Sequence, residues 1–308
     1  MALEIDIPKG KKAAELLCSA FEKEGIFGHS EMPEDVNPIG VESGSLDHIL
    51  FLTLTVSIDY QRDAPQTWAS ARRTFEDAET RYLFNPQILS ETSLSKIIED
   101  LKKHGLSKKP RQDAFIWHTV GVSFFKKWEG DPRKFLADCE WDSPTILARL
   151  KGDQHLANNR FTWDYPFLRG DKIGPLWVRM LHDSAGITTI KNFDRVPIPV
   201  DIHIARASLM LGAIKGDYDG AFTPIPPMVR NVWFECVKGC NIKGRPMIAL
   251  DLDEPLWHLS KYGCTHRNPT SGICPVKHKC IARELCMLGI ISVSNATNSV
   301  RIETQIGM

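Results

Sequence analysis

Four cysteines crowded into one short stretch, Cys264 to Cys286 reading CTHRNPTSGICPVKHKCIARELC, restrict this chain more than any other feature. They are separated by nine, five and five residues. An intracellular-type chain has little use for disulfides, so thiols at this density point to a metal or an iron-sulfur cluster. From Lys261 to Arg283 there are five Lys or Arg, two His and no acidic residue. A bound group would therefore sit in a positive patch, for which a polyanion is the natural partner.

That patch matters because the chain as a whole carries none of the bias. Lys+Arg and Asp+Glu are both 38, so the net charge is zero and any case for nucleic acid rests on local clusters. At 308 residues the chain suits two lobes or one domain with an insertion. The opening MALEIDIPKGKKAAELLC reads as amphipathic rather than as a leader. No apolar run approaches the ~18 residues of a membrane span. The expectation is a soluble, monomeric protein of the cytoplasm, associated with the nucleoid and not with membranes. Cys18 and Cys139 read as small core hydrophobes. Cys236 and Cys240, one helical turn apart, read as packing near a helix end rather than as a second metal site.

Helical spacing of apolar residues predicts helices over 11–24, 92–104, 114–128 and 144–151. LDHILFLTLTVSI, apolar nearly all round, predicts a helix at the centre of a helical core. After it, Asp63 is placed to cap a further helix with Pro65 in its first turn. A polar connection spans 28–45. The basic runs Lys102-Lys103-His104 and Lys108-Lys109-Pro110-Arg111 read as solvated surface, with contact to a DNA backbone as the alternative. No strand-rich region is expected before the end of the chain. There, the weak alternation of ISVSNATNSVRIETQI, with turn residues at 295–298, predicts a short hairpin.

The cysteine segment resembles the [4Fe-4S] loop of the endonuclease III and MutY branch of the helix-hairpin-helix DNA glycosylases, which reads C-x6-C-x2-C-x5-C. Cys264-Thr-His-Arg267-Asn-Pro269 is similar to the family's Cys-x-x-Arg-Lys-Pro. Cys280-Ile-Ala-Arg-Glu284-Leu-Cys286 is similar to its Cys-x-x-Glu-Asp-Leu-Cys. The first two gaps are longer here, which leaves a zinc site using His266 or His278 as the alternative to a cluster on Cys264, Cys274, Cys280 and Cys286. Three more segments follow in family order. DYQRDAPQ resembles a Leu-Ser-x-Gln-x-x-Asp turn whose Gln enters the DNA; Asp63 matches the Asp, and Tyr60 or Gln61 falls near the Gln. Leu168 to Gly174 resembles the hairpin Leu-Pro-Gly-Val-Gly-Arg-Lys, with Gly170 and Gly174 bracketing a tight connection ahead of a helix. Backbone N–H groups at such a helix start bind a phosphate without reading sequence. Val200-Asp201-Ile202-His203-Ile204-Ala205-Arg206 resembles Val-Asp-Thr-His-Val-x-Arg, whose aspartate is catalytic in the family.

The resemblance implies an all-α, two-lobed fold. One lobe is a helical barrel over 46–189 ending in the hairpin. The other joins 1–45 to 190–308 and carries the cluster loop over 264–286, with an active site in the cleft. Lys172 reaches the position of the family's lysine nucleophile only with a gap in the alignment; without one, Lys172 falls on the motif's second Gly and Gly174 on its Lys. A nucleophilic lysine attacks the sugar as a neutral amine, which desolvation and a helix N-terminus both favour. Without it, an activated water would attack and the enzyme would lack lyase activity. Asp201 would stabilise the oxocarbenium-like sugar, His203 would support it, and Arg206 would brace the helix or pair with an acid. Trp163, Tyr165 and Phe167 would either stack on a flipped base or support the barrel. The implied activity is excision of a damaged or modified base from double-stranded DNA. Extra length at 187–197 and 213–254 would suit an unusual or bulky base. The alternatives from other classes are a zinc- or cluster-stabilised DNA-binding protein without catalysis and an iron-sulfur redox protein.

Overall fold

A computed structural model describes residues 3–157, 159–294 and 296–304. Twelve α-helices are found among them. In chain order these are α1 (Ile7–Glu24), α2 (Leu46–Ser57), α3 (Ala64–Glu76), α4 (Pro86–Glu91), α5 (Leu94–Lys103) and α6 (Pro110–Trp128). There follow α7 (Pro132–Asp138), α8 (Ser143–Gly152), α9 (Ile173–Asp183), α10 (Ile202–Met210), α11 (Ile225–Cys236) and α12 (Asp253–Tyr262). No helix among the described residues is long and apolar enough to cross a membrane. The chain divides into two compact units, one continuous (Met32–Val196) and one discontinuous (Met1–Glu31 with Pro197–Met308).

In the continuous unit the helix starts are written locally. Asp63, Asn85, Asp131 and Asp142 each cap a helix through their side chains, with a proline in the first two positions that follow. α2 is buried from His48 to Ser57. Its polar side chains are accommodated by bonding back to the helix, Thr53 Oγ1 to the Ile49 carbonyl and Ser57 Oγ to that of Leu54, both at 2.6 Å. Thr53 Oγ1 also accepts from Trp177 Nε1 of α9 at 2.9 Å. Around α2 the rings of Phe51, Trp68, Phe75, Phe84 and Trp117 meet largely edge-on. Arg179 of α9 forms a buried ion pair with Glu34 in the connection before α2. Burial pushes the Glu34 carboxyl up to about 7 against the opposing pull of Arg179.

One departure from the expected reading lies here. Strands occur well before the chain's end: β2 (Gln154–Ala157) and β3 (Arg160–Trp163) form an antiparallel ribbon. β1 (Glu4–Ile5) also pairs with β4 (Ile214–Lys215) in the other unit. The ribbon is too short for periodicity to separate it from a loop.

The discontinuous unit closes around α1, whose Ala13, Ala14, Leu17 and Cys18 are buried and which packs on α11 and α12. Residues 213–254 contribute to this core. Within them α11 buries Val229, Val232, Trp233 and Cys236, and β5 (Tyr218–Ala221) adds an edge to the C-terminal sheet. That sheet runs β5-β9-β8, with β8 (Gly289–Ser294) and β9 (Ser299–Thr304) as the expected hairpin. Asn295 of its turn and the stretch beyond 304 lie outside the described residues. A small ribbon of β6 (Asn241–Ile242) and β7 (Arg245–Pro246) follows α11. Cys18, Cys139, Cys236 and Cys240 are all buried, as core packing requires, and burial raises the thiols of Cys18 and Cys236 to about 12.

Candidate functional site

Within the continuous unit, two segments far apart in sequence come together. The turn between α2 and α3 carries Tyr60 and Gln61, and the hairpin before α9 carries Phe167, Gly170 and Lys172. Tyr60 stacks on Phe167, with ring centroids 4.2 Å apart, and Lys172 Nζ donates to the Asp59 carbonyl oxygen at 3.4 Å. Gln61 (φ 53°) and Phe167 (φ 66°) both sit in the left-handed region, which disfavours bulky side chains. Strain of this kind persists where surrounding contacts over-determine it, and it collects at functional turns.

The contacts that do so converge on Asp113 in the first turn of α6. Its carboxylate accepts from Tyr60 Oη (2.7 Å), Ser107 Oγ (2.8 Å), the N–H groups of Lys108 and Lys109 (3.1 and 2.8 Å), and Arg62, its buried ion-pair partner. Burial alone would raise this carboxyl, but the bonds from Arg62, Lys109, Tyr60 and Ser107 hold it below the usual range. Tyr60 and Arg62 are thus tied down on either side of Gln61. Gln61 itself is exposed, and its Oε1 accepts from Lys109 Nζ at 2.7 Å. Lys109 is exposed, as expected of a solvated surface, and its ammonium also reaches this turn.

The hairpin is built by close backbone approach. Gly174 N–H donates to the Gly170 carbonyl at 3.0 Å, and a Cβ at Gly174 would lie 2.7 Å from the Leu168 carbonyl oxygen, so only glycine fits. α9 starts at Ile173 with Lys172 as its N-cap residue and Pro175 in the first turn. Of the three aromatic residues near the hairpin, Tyr165 is a core residue. It is fully buried against Phe124 and Phe135 and accepts from Trp128 Nε1 at 2.8 Å, so stacking on a base is closed to it. Trp163 stays partly exposed beneath the Arg169 guanidinium, 3.6 Å from the ring centroid.

In the discontinuous unit Asp201 is the N-cap of α10. Its Oδ1 accepts from His203 N–H at 2.7 Å and Ile204 N–H at 2.9 Å, fixing the carboxylate at the helix start. His203 Nδ1 lies 3.2 Å from Ser260 Oγ, a supporting contact. Arg206 braces α10, donating to Thr265 Oγ1 (3.1 Å) and the Val293 carbonyl (3.1 Å).

The other end of α10 meets the cysteine loop. Cys264, Cys274, Cys280 and Cys286 line one small cavity together with Met210, Arg267 and Arg283. All four thiols are free of disulfides. Burial raises Cys264, and the nearby sulfurs of Cys280, Cys286 and Cys274 raise it further, a consequence of four thiols sharing one space. Among the described residues no three His, Cys, Asp or Glu converge as a single-ion site would require. Neither His266 nor His278 lines the cavity. Arg267, counted in the positive patch from sequence, is instead buried. It donates to the Met287 and Gly289 carbonyls at 2.8 and 2.6 Å and approaches Cys286 Sγ at 3.4 Å. Lys277 and Lys279 remain exposed beside the loop.

Asp113, on which the contacts of this turn converge, was hidden from sequence reasoning. Its only local cue was an acid in the first turn of a helix, which the macrodipole already favours. No family model and no curated protein matches the chain. Among solved structures, one described as a trapped endonuclease III–DNA covalent intermediate, an estranged-adenine complex, is similar to 91% of this chain and 98% of its own. The TM-score is 0.52 and the identity 14%. The likeness is one of fold: mostly helical, of the helix-hairpin-helix endonuclease III type.

Proposed function

We propose that this chain, built on the endonuclease III fold, is a DNA N-glycosylase that turns a damaged or modified nucleotide out of the duplex and cleaves its glycosidic bond. The observation that carries the reading is the meeting of the 59–62 turn with the 167–172 hairpin, through the Tyr60–Phe167 stack and the Lys172–Asp59 bond. A base-extruding enzyme needs a rigid filler beside its phosphate grip. Gln61 is the filler in this reading, because Tyr60 is committed to Asp113 and Phe167. The α9 N-terminus with Gly170 and Gly174 takes the phosphate.

Asp201 supplies the carboxylate that stabilises positive charge on the sugar as the base departs with the bonding electron pair. Its second oxygen is left to the reaction while Oδ1 serves the cap. Lys172 supplies the amine: its lone pair forms the bond to C1′, its proton passes to a base, and loss of the ring oxygen bond gives an iminium from which β-elimination cuts the strand. The four loop cysteines form a donor set suited to a [4Fe-4S] cluster, one thiolate per iron, and such a cluster would supply rigidity to the loop. Zinc is the alternative occupant, and the absorbance of the purified protein separates the two, since a [4Fe-4S] cluster absorbs broadly near ~400 nm and zinc is silent.

The test is incubation with duplexes carrying oxidised, alkylated, mispaired or hypermodified bases, scoring abasic sites with and without borohydride. Excision of one class with a trapped adduct, lost in Lys172→Ala, supports the full assignment. Abasic sites without an adduct reassign the attack to water. Asp201→Asn is expected to slow excision at least ~100-fold, the range of positioned acid–base groups; full activity would remove Asp201 from the mechanism.

A further inference from the structure

The β2–β3 ribbon is inserted between α8 and the hairpin, leaving the chain after Asp153 and rejoining it at Asp164. Its root is firmly held. Buried Asp164 accepts from Lys127 and lies 2.6 Å from His155 Nδ1, while Arg169 of the hairpin stacks on Trp163 and donates to the Lys151 carbonyl at 3.0 Å. Its outer end is the opposite. Leu156 and Phe161 are directly paired across the strands and so share a face, and they are 63% and 77% exposed. Between Gln154 and Trp163 the chain has Arg160 and His155 and no acidic residue. Arg160 is exposed.

We infer that this ribbon is a second DNA-contacting element, with Leu156 and Phe161 forming an apolar wedge against base steps and Arg160 meeting a phosphate. The inference rests on the reading of the hairpin as the phosphate grip. Two observations select duplex DNA as the occupant. Basic charge without acid matches a polyanion, and paired apolar side chains on a rigid root match the wedges that proteins push between stacked bases. The ribbon's reach of about 13 Å, four residues at ~3.3 Å each, extends from the segment that holds the hairpin. A two-stranded ribbon is also a shape that a DNA groove admits.

The experiment uses the full chain and compares wild type with L156S/F161S, Arg160→Ala and the control Phe115→Ser, an exposed aromatic on α6. Affinity for an unmodified duplex and for one with an abasic site is measured by fluorescence anisotropy across a salt series, with thermal unfolding confirming intact folding. The double variant is expected to lose at least tenfold in affinity, and to lose the 2-aminopurine brightening that unstacking produces in wild type. Arg160→Ala is expected to shallow the salt slope by about 1, and Phe115→Ser to match wild type. If wild type binds the duplexes and the double variant binds within twofold of it, the ribbon is not a DNA element, while the excision reading stands. If the double variant changes only the oligomeric state by size exclusion, the face is an interface between copies and the inference fails. If wild type binds no duplex at all, the excision reading falls and takes this one with it.

Discussion

Asp113 shows how one buried carboxylate can set a turn that lies some fifty residues away. Its five donors come from the 59–62 turn and from the entry to α6, so removing its charge leaves Arg62 buried without its counter-ion. Breaking one side of a buried pair costs about 3–5 kcal/mol. Asp113→Asn is therefore expected to lower stability by about 3 kcal/mol at neutral pH in urea unfolding. The sign of its pH dependence follows from the depressed carboxyl. The folded state holds this proton less tightly than the unfolded chain, so the stabilisation is complete above the ordinary value of 3.8 and is lost as pH falls through the folded value. The gap between wild type and Asp113→Asn should be full at pH 7 and narrow at pH 3. A gap unchanged by acid would mean that the carboxylate is not the anchor of this turn.

At the scale of an element, α10 carries two jobs at its two ends. Asp201 caps its start and Met210 at its end lines the cysteine cavity, so a nine-residue helix of about 13 Å spaces the candidate carboxylate from the loop. Arg206 and Arg267 stitch the loop and β8 to that helix by hydrogen bonds that a lysine could not reproduce, because each uses more than one guanidinium nitrogen. Cys280→Ala is expected to abolish the broad absorbance near ~400 nm and the bound iron of a cluster-loaded protein. The same substitution should loosen the discontinuous unit first, since a cluster on the four cysteines would cross-link the loop. Iron content and hydrogen exchange of residues 264–286 measure this. Retention of four irons per chain in the variant would show that the cluster is not held by this set.

For the whole molecule, the chain leaves the discontinuous unit after Glu31 and returns at Pro197. The unit it encloses, Met32–Val196, is continuous and carries its own aromatic core. A fragment spanning 32–196 is expected to fold with a single cooperative unfolding transition, whereas 197–308 without α1 should not, because Leu17 and its neighbours fill that unit's centre. Circular dichroism and denaturant melts of the two fragments check it.

Much of this was legible in residues whose meaning is local. The helix cap at Asp63, the nearly all-apolar α2 and the tight connection between Gly170 and Gly174 depend on neighbours within a few positions, and short-range sterics and hydrogen bonding decide them. The crowding of four thiols is likewise a property of one loop. Tertiary structure alone decided that Tyr60 is tied down and Gln61 left over, that Arg267 turns inward rather than joining the positive patch, and that residues 213–254 become core. It also decided that the two strands within 154–163 pair as a ribbon with Leu156 and Phe161 uncovered. Each of those outcomes depends on a partner distant in the chain, and long-range pairing leaves no periodic mark on the sequence that makes it.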